Sequence, residues 1–276
     1  MEEMELTMNL FQVDAFTKAP FTGNPAAVCV LDSFPSDGWM LNFASEMNLS
    51  ETAFIHSIDN GFALRWFTPG GEVDLCGHAT LATAHTLWTE GFVGGSTDVL
   101  RFETRSGDLF AHRESQSADA LEIRLDFPST PPDPVSPPDG LLEALRTTAE
   151  YVGKSRFDYL VRVASANVVR NLVPDFAALA KVEARGVMVT SLADTDDYDF
   201  ISRFFCPGLN INEDPVTGSA HCCLAPFWGE LLGKTEMMAY QASPRGGEIA
   251  LRLVDDRVYL TGQARTVFRG ELAIGE

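Results

Sequence analysis

Two similar stretches decide the fold: Phe67-Thr68-Pro69 followed by Leu75-Cys76-Gly77-His78-Ala79, and Phe205-Cys206-Pro207 followed by Val216-Thr217-Gly218-Ser219-Ala220. Each predicts a strand, a turn at the proline, a loop and a helix that starts beside a glycine. The second stretch has three more residues between its proline and its glycine. A unit that recurs in this way indicates an internal duplication, and the alternative is convergence of two unrelated strand–turn–helix units.

The helices that follow the two stretches, predicted at 78–89 and 219–232, are apolar on nearly every face. Their apolar side chains are Ala79, Leu81, Ala82, Ala84 and Leu87, and then Ala220, Leu224, Ala225, Phe227 and Leu231. A helix without a polar face belongs inside a core. We therefore predict an α+β fold with two pseudo-symmetric lobes, each a mixed sheet or barrel wrapped around a central helix. Pro226 is expected to kink the second helix or to end it early.

A proline-rich segment lies near the middle of the chain. Six prolines between Phe127 and Pro138 exclude a helix or a central strand there. The predicted organisation is an N-terminal lobe at 1–127, a linker at 128–139 and a C-terminal lobe at 140–265. A final strand near 266–276 is expected to return to the first lobe. Further helices are predicted at 37–47, 140–149 and 176–182.

The composition limits the classes of partner. The chain has 276 residues, of which 45% are hydrophobic and 21% charged, and its formal net charge is −19. Such an acidic protein repels phosphate backbones, so a nucleic-acid partner is not expected. A small anionic substrate still fits, because a few local donors can make a cleft attractive.

The sequence also indicates where the protein works and which groups it lacks. The start, Met1-Glu2-Glu3-Met4-Glu5, has no basic segment followed by an apolar run, and no stretch predicts a membrane span. Five irregularly spaced cysteines fit a reducing compartment, and we expect a cytoplasmic protein. No metal-ligand spacing and no nucleotide-binding glycine motif is found, so neither a metal nor a cofactor is expected.

The starts of the two apolar helices are candidate binding sites. Gly77 and Gly218 precede or open these helices, where the absence of a side chain lets a ligand approach backbone N–H groups. The partial positive charge of a helix N-terminus favours a carboxylate or a phosphate. The alternative is ordinary capping, with Ser219 as the capping residue.

Three acidic or imidazole side chains are candidate catalytic groups. Glu51 lies just before an apolar strand, where burial would suit a carboxylate to general acid–base catalysis. Its alternative role is to form a capping pair with Asn48. Asp214 and its neighbour Glu213 precede the second helix, where negative charge stabilises the helix in any case. His78 lies at the start of the first helix, which favours a neutral ring, or it serves only in packing.

Five motifs in order resemble the phenazine-biosynthesis PhzF-like family, which has the diaminopimelate-epimerase-like fold. They are Phe11-Gln12-Val13-Asp14-Ala15-Phe16, Phe21-Thr22-Gly23-Asn24-Pro25-Ala26, Met47-Asn48-Leu49-Ser50-Glu51-Thr52-Ala53-Phe54, Leu75-Cys76-Gly77-His78-Ala79-Thr80 and Glu213-Asp214-Pro215-Val216-Thr217-Gly218-Ser219-Ala220. The resemblance covers nearly the whole chain and is closest to PhzF-like proteins of unassigned substrate. It implies a cofactor-free isomerase, a site between the two lobes and a homodimer.

The resemblance also implies roles for single residues. Glu51 corresponds to the glutamate that shuttles a proton between substrate carbons, and His78, Asp214 and Ser219 correspond to residues that line the site. Related epimerases use two cysteines, one before each glycine, as opposed acid and base. The first position is Cys76 here, but the second is Thr217, whose hydroxyl is a much weaker acid and base than a thiol.

The preferred hypothesis is an isomerase that moves a proton between carbons of a small carboxylated substrate at the cleft between the lobes. Glu51, His78 and Asp214 are its predicted catalytic residues, and the predicted substrate-binding residues are Gly77, Ser219, Gly218, Cys76 and Thr217. The alternatives are an amino-acid epimerase or racemase, and a binding protein without catalysis.

Overall fold

The structure is a computed structural model that describes residues 8–117 and 120–272. Its contacts divide the chain into two compact units. The first comprises the residues up to Asp126 together with those from Gly262 onward, and the second comprises Phe127–Thr261. Among the described residues, no helix has both the length and the apolar character that crossing a membrane requires.

The first unit is a mixed sheet with two helices. Its helices are α1 Asp37–Met47 and α2 Gly77–Thr89, and its strands are β1 Asn9–Ala15, β2 Asn24–Leu31, β3 Glu51–Ile58, β4 Gly61–Thr68, β5 Gly71–Val73, β6 Val99–Thr104, β7 Gly107–Ser117, β8 Ala120–Pro128 and, from the end of the chain, β18 Ala264–Glu271. Strand β1 pairs antiparallel with both β18 and β2, and β2 pairs parallel with β3. Strand β4 pairs antiparallel with β3 and β5 and parallel with β6, and β6, β7 and β8 follow antiparallel.

Helix α2 forms the centre of this unit. Every residue from Gly77 to Leu87 is buried, and the helix contacts β1, β2, β3, β7 and β18. Its threonines would leave hydroxyls unpaired in such a core. Instead Thr80, Thr83 and Thr86 each donate to the carbonyl four residues earlier, which satisfies the hydroxyl within the helix.

The second unit contains four helices and nine strands among the residues that the structure describes. Its helices are α3 Leu141–Leu145, α4 Ala166–Asn171, α5 Phe176–Leu179 and α6 Gly218–Leu232, and its strands are β9 Asp133–Pro134, β10 Tyr151–Lys154, β11 Asp158–Arg162, β12 Gly186–Leu192, β13 Phe200–Cys206, β14 Ile211–Asp214, β15 Glu236–Gln241, β16 Gly247–Val254 and β17 Arg257–Gly262. Helix α6 is apolar and mostly buried, and it contacts β15 and β16.

The strand pairing of the first unit recurs in the second. Strand β10 pairs antiparallel with β9 and β11, and β11 pairs parallel with β12. Strand β13 pairs antiparallel with β12 and β14 and parallel with β15, and β15, β16 and β17 follow antiparallel. Strands β10 to β17 therefore repeat the plan of β1 to β8, with α6 in the place of α2. The predicted duplication and the α+β fold class are confirmed.

The proline-rich segment belongs to the second unit, where β9 pairs with β10.

The same segment also compensates for Pro226 within α6. Pro226 lacks the N–H that would otherwise donate to the carbonyl of Cys222. The backbone N–H of Thr130 donates to that carbonyl instead, at 3.0 Å. Helix α6 continues to Leu232 and ends at Gly233, which has a φ of 65°. The expectation that Pro226 ends the helix early is wrong.

Candidate active site

Glu51 is the first residue of β3 and lies beside Ala26 of the parallel strand β2. Its side chain is 17% exposed. Helix α1 begins after Ser36, whose side chain accepts from the N–H of Trp39, and ends at Asn48, which has a φ of 51°. Asn48 therefore closes a helix rather than opening one. The alternative that Asn48 and Glu51 form an N-terminal capping pair is wrong.

His78, the second residue of α2, lies against Glu51. Its Nε2 is 3.2 Å from Oε2 of Glu51, and its Nδ1 is 3.1 Å from the amide nitrogen of Asn24. The ring is 3% exposed, and burial lowers the pKa of His78 to about 3. The imidazole is therefore neutral near pH 7. Because Nδ1 accepts from the Asn24 amide, the ring proton is on Nε2, beside the Glu51 carboxylate.

Cys76 approaches the same ring near its other nitrogen. Its Sγ lies 3.6 Å from Nδ1 of His78, and Glu51, Cys76 and His78 form a group of three side chains that are potential metal ligands, with one ligand atom of each within 4.8 Å of the others. The expectation of no metal stays a prediction.

Asp214 ends β14 in the second unit and is buried. The hydroxyl of Thr217 donates to Oδ2 of Asp214 at 2.5 Å. The preceding acid, Glu213, has a different partner. Its carboxylate forms a bidentate ion pair with Arg203, in which Nε and Nη2 of the arginine each lie 2.7 Å from a carboxylate oxygen. Of the two adjacent acids, Glu213 is committed to this ion pair.

Ser219 is the second residue of α6 and does not cap the helix, because the N-cap is Thr217. The capping role considered for Ser219 is wrong. Its hydroxyl oxygen accepts from Nη2 of Arg185 at 3.0 Å. Arg185 is held by Asp158 through both carboxylate oxygens, and the guanidinium also lies near Asp214. A basic side chain therefore stands beside the predicted binding serine.

The two helices that open at Gly77 and Gly218 share a feature that the short helix α3, with Gly140 as its N-cap, also shows. Their N-caps, Cys76 and Thr217, make no side-chain capping hydrogen bond. Helices α1, α4 and α5 are each capped by the side chain of a serine or an aspartate. The first N–H groups of α2 and α6 thus lack the usual side-chain acceptor, which leaves the caps suited to an anionic ligand.

Three polar residues contact these side chains without being predicted from the sequence: Asn24 in the first unit, and Arg185 and Gln241 in the second. Asn24 lies in the motif Phe21-Thr22-Gly23-Asn24-Pro25-Ala26, which indicates the family resemblance but no contact with His78. Arg185 and Gln241 reach their partners across 34 and 24 residues of chain. No local pattern signals such contacts.

Comparison with known proteins places the chain in a family. The family model described as phenazine biosynthesis-like protein, PhzC-PhzF, matches residues 13–270. An uncharacterized isomerase of Halalkalibacterium halodurans is 50% identical over 270 residues, which cover 98% of this chain and 100% of that protein. An uncharacterized isomerase of Pseudomonas aeruginosa is 48% identical over 269 residues, which cover 98% and 99% of the two chains.

A crystal structure of a PhzF-family phenazine biosynthesis protein from Enterococcus faecalis has the same fold. Its TM-score is 0.90 at 40% sequence identity, over 98% of this chain and 100% of that one. The predicted fold is confirmed, and the prediction of an isomerase is confirmed at the level of enzyme class. The chain belongs to the phenazine biosynthesis-like family, PhzC-PhzF.

Proposed function

We propose that this protein is a cofactor-independent isomerase that moves a proton between two carbon atoms of a small carboxylated substrate. Glu51 is the general base that removes the proton and the general acid that returns it. The observation that carries the proposal is the close contact between Glu51 and the neutral, buried His78. Nε2 of His78 lies 3.2 Å from Oε2 of Glu51.

We assign different roles to the two oxygens of the Glu51 carboxylate. Nε2 of His78 lies 3.2 Å from Oε2 of Glu51 in a contact that is not aligned for a hydrogen bond, and the Asn24 amide nitrogen lies at Nδ1, the other nitrogen of the ring. Oε1 of Glu51 is then the atom that we assign to the substrate proton. The electron pair left on carbon delocalises into the adjacent unsaturated system of the substrate. Glu51 then delivers a proton to a different carbon, so one proton is removed and one returned without a further reactant. Because the carboxyl proton can exchange with water between the two steps, deuterium from the solvent can enter the product.

The second unit has polar groups of its own at the start of its central helix. Ser219, which accepts from Arg185, and the uncapped start of α6 are suited to hold a carboxylate. Asp214 is proposed to hold or polarise a polar group of the substrate. Proton transfer by a positioned side chain contributes about 10²–10⁴-fold in rate, and positioning of the substrate must supply the remainder.

The test is incorporation of deuterium at carbon. Small carboxylic acids that raise the melting temperature of the protein are incubated with it in deuterated water and followed by NMR. We expect exchange with the wild-type protein and a loss of about 10²-fold or more in Glu51→Gln. Glu46→Gln, which removes an exposed carboxylate from α1, is the matched control and should exchange at the wild-type rate.

Two outcomes would contradict this proposal. Equal exchange by Glu51→Gln and wild type removes Glu51 from the mechanism. Thermal stabilisation by carboxylic acids that never exchange favours the binding-protein alternative. The epimerase alternative needs a second base, and the Thr217 hydroxyl at that position already donates to Asp214. Loss of optical rotation from a single enantiomer would support the epimerase.

A further inference from the structure

The turn between β14 and α6 is held by one buried amide. Gln241, the last residue of β15, has no exposed surface. Its Oε1 accepts from the backbone N–H of Thr217 at 2.8 Å, and its Nε2 donates to the backbone oxygen of Asp214 at 2.7 Å. One side chain therefore joins both ends of the segment 214–217, in which Pro215 has no N–H of its own.

The same amide reaches the side chain of Thr217. Nε2 of Gln241 lies 3.2 Å from the Thr217 hydroxyl oxygen, and that hydroxyl donates to Oδ2 of Asp214 at 2.5 Å. The hydrogen bonds run in one direction, from amide to hydroxyl to carboxylate. Each donor in such a chain polarises the next, and the last bond is the stronger because its acceptor is charged.

The hydroxyl of Thr217 takes part in this series of hydrogen bonds instead of capping helix α6, and the helix is less stable as a result. A threonine at an N-cap ordinarily accepts from the first turn, which stabilises a protein by about 1 kcal/mol. Thr217 makes no such bond. Its hydroxyl is directed to Asp214 instead, so this position orients a carboxylate rather than capping the helix.

We propose that Gln241 and Thr217 are positioning residues that fix the orientation and the charged state of the Asp214 carboxylate. This inference rests on the proposed function only in giving Asp214 a part in the reaction. It replaces the substrate-binding role predicted for Thr217. A glutamine is required in this arrangement, because a glutamate would set an acceptor against the Asp214 carbonyl and a methionine can neither donate nor accept.

The test is a titration of Asp214 that needs no substrate. Protein labelled with ¹³C at the aspartate carboxyl carbons is titrated by NMR, and the signal of Asp214 is identified by its absence in Asp214→Asn. Loss of a hydrogen bond to a charged group costs about 1.5–3 kcal/mol, so Thr217→Val should move the midpoint about one to two pH units upward. Thr217→Ser should restore it. Gln241→Met should move it in the same direction by less.

Control variants distinguish an effect on the orientation of Asp214 from a general loss of protein stability. The charged and titratable groups around Asp214 include Arg185 with its partner Asp158, the Arg203–Glu213 pair, Cys206 and His221, and the Thr217 and Gln241 variants leave all of them unchanged. Thr86→Val removes a buried hydroxyl bond in α2 and should leave the Asp214 midpoint in place. Thr217→Ala is the second variant if Thr217→Val does not fold.

Each outcome decides one statement. An unchanged midpoint in Thr217→Val, or in Thr217→Ala where that variant replaces it, overturns the role of the hydroxyl. So does a shift in Thr217→Ser equal to that in Thr217→Val. An unchanged midpoint in Gln241→Met overturns the role of the amide. The proposed function is judged separately, by deuterium exchange in Glu51→Gln, a variant that the titration does not use.

Discussion

Acidification from pH 7 to pH 5 should destabilise this protein through three buried histidines. His78, His85 and His221 are 3%, 6% and 0% exposed, and burial lowers their pKa values to about 3, 4 and 4. The ordinary pKa of a histidine in an unfolded chain is about 6.5. The unfolded state therefore binds more protons below pH 6.5, and the stability that the neutral rings contribute is lost as the pH falls from 6.5 toward 4 and 3.

The size of the effect follows from these shifts. Each histidine contributes about 1.4 kcal/mol per pH unit below 6.5, and thus about 2 kcal/mol at pH 5. The three together amount to about 6 kcal/mol, which is comparable with the whole unfolding free energy of an ordinary domain. We expect a steep loss of stability in a pH range where most surface carboxylates are still ionised.

The assay is urea unfolding at pH 7, 6 and 5. The variant His85→Gln removes one of the three groups and should lower the pH dependence of the unfolding free energy by about 1.4 kcal/mol per pH unit. Comparison with wild type cancels the contribution of the carboxylates. His56→Gln, a change at a partly exposed histidine of β3, is the control. The same slope in His85→Gln and wild type would refute the reasoning.

Three further substitutions test the packing around the candidate site. Gly23→Ala places a Cβ 2.2 Å from the carbonyl oxygen of Ala15, at a position whose φ of +69° suits glycine. The substitution should lower the free energy of unfolding by about 1–3 kcal/mol, measured by thermal unfolding, and should slow deuterium exchange into the substrate. Thr190→Val leaves the Trp228 indole N–H, now bonded at 2.9 Å, without its acceptor, and should cost about 1–3 kcal/mol by urea unfolding followed by tryptophan fluorescence. Arg203→Met leaves a mostly buried glutamate without its ion-pair partner and should cost about 3–5 kcal/mol by the same measurement, whereas Arg101→Met, at a solvent-exposed ion pair, should cost far less.

Local sequence patterns predict much of this fold. The helix predicted at 37–47 has those bounds in the structure, and the helices predicted at 78–89 and 219–232 each start one residue earlier. The helix predicted at 140–149 ends at Leu145, because Arg146 adopts a left-handed φ of 55° with no glycine to signal it. The parallel pairing of β13 with β15 depends on contacts between distant segments, which periodicity does not reveal.

The candidate site is predictable in part for the same reason. Glu51, His78 and Asp214 stand out because each lies at the start of an element or just before one, where the sequence shows the pattern. The residues that contact these three side chains do not stand out in the sequence. Gln241 lies in a strand that the sequence analysis leaves out, and a buried glutamine becomes meaningful only once its distance to Thr217 is known.

The return of β18 to β1 has a consequence for the order of synthesis. Strand β1 is made early, but one of its two neighbours is made only after the whole second unit. At roughly 5–20 residues per second, β1 waits about ten seconds or more with one edge unpaired. Such an edge can pair with another chain. The second unit can close before the first, so a ribosome that stalls short of Ala264 releases a chain with one completed unit and one prone to aggregation.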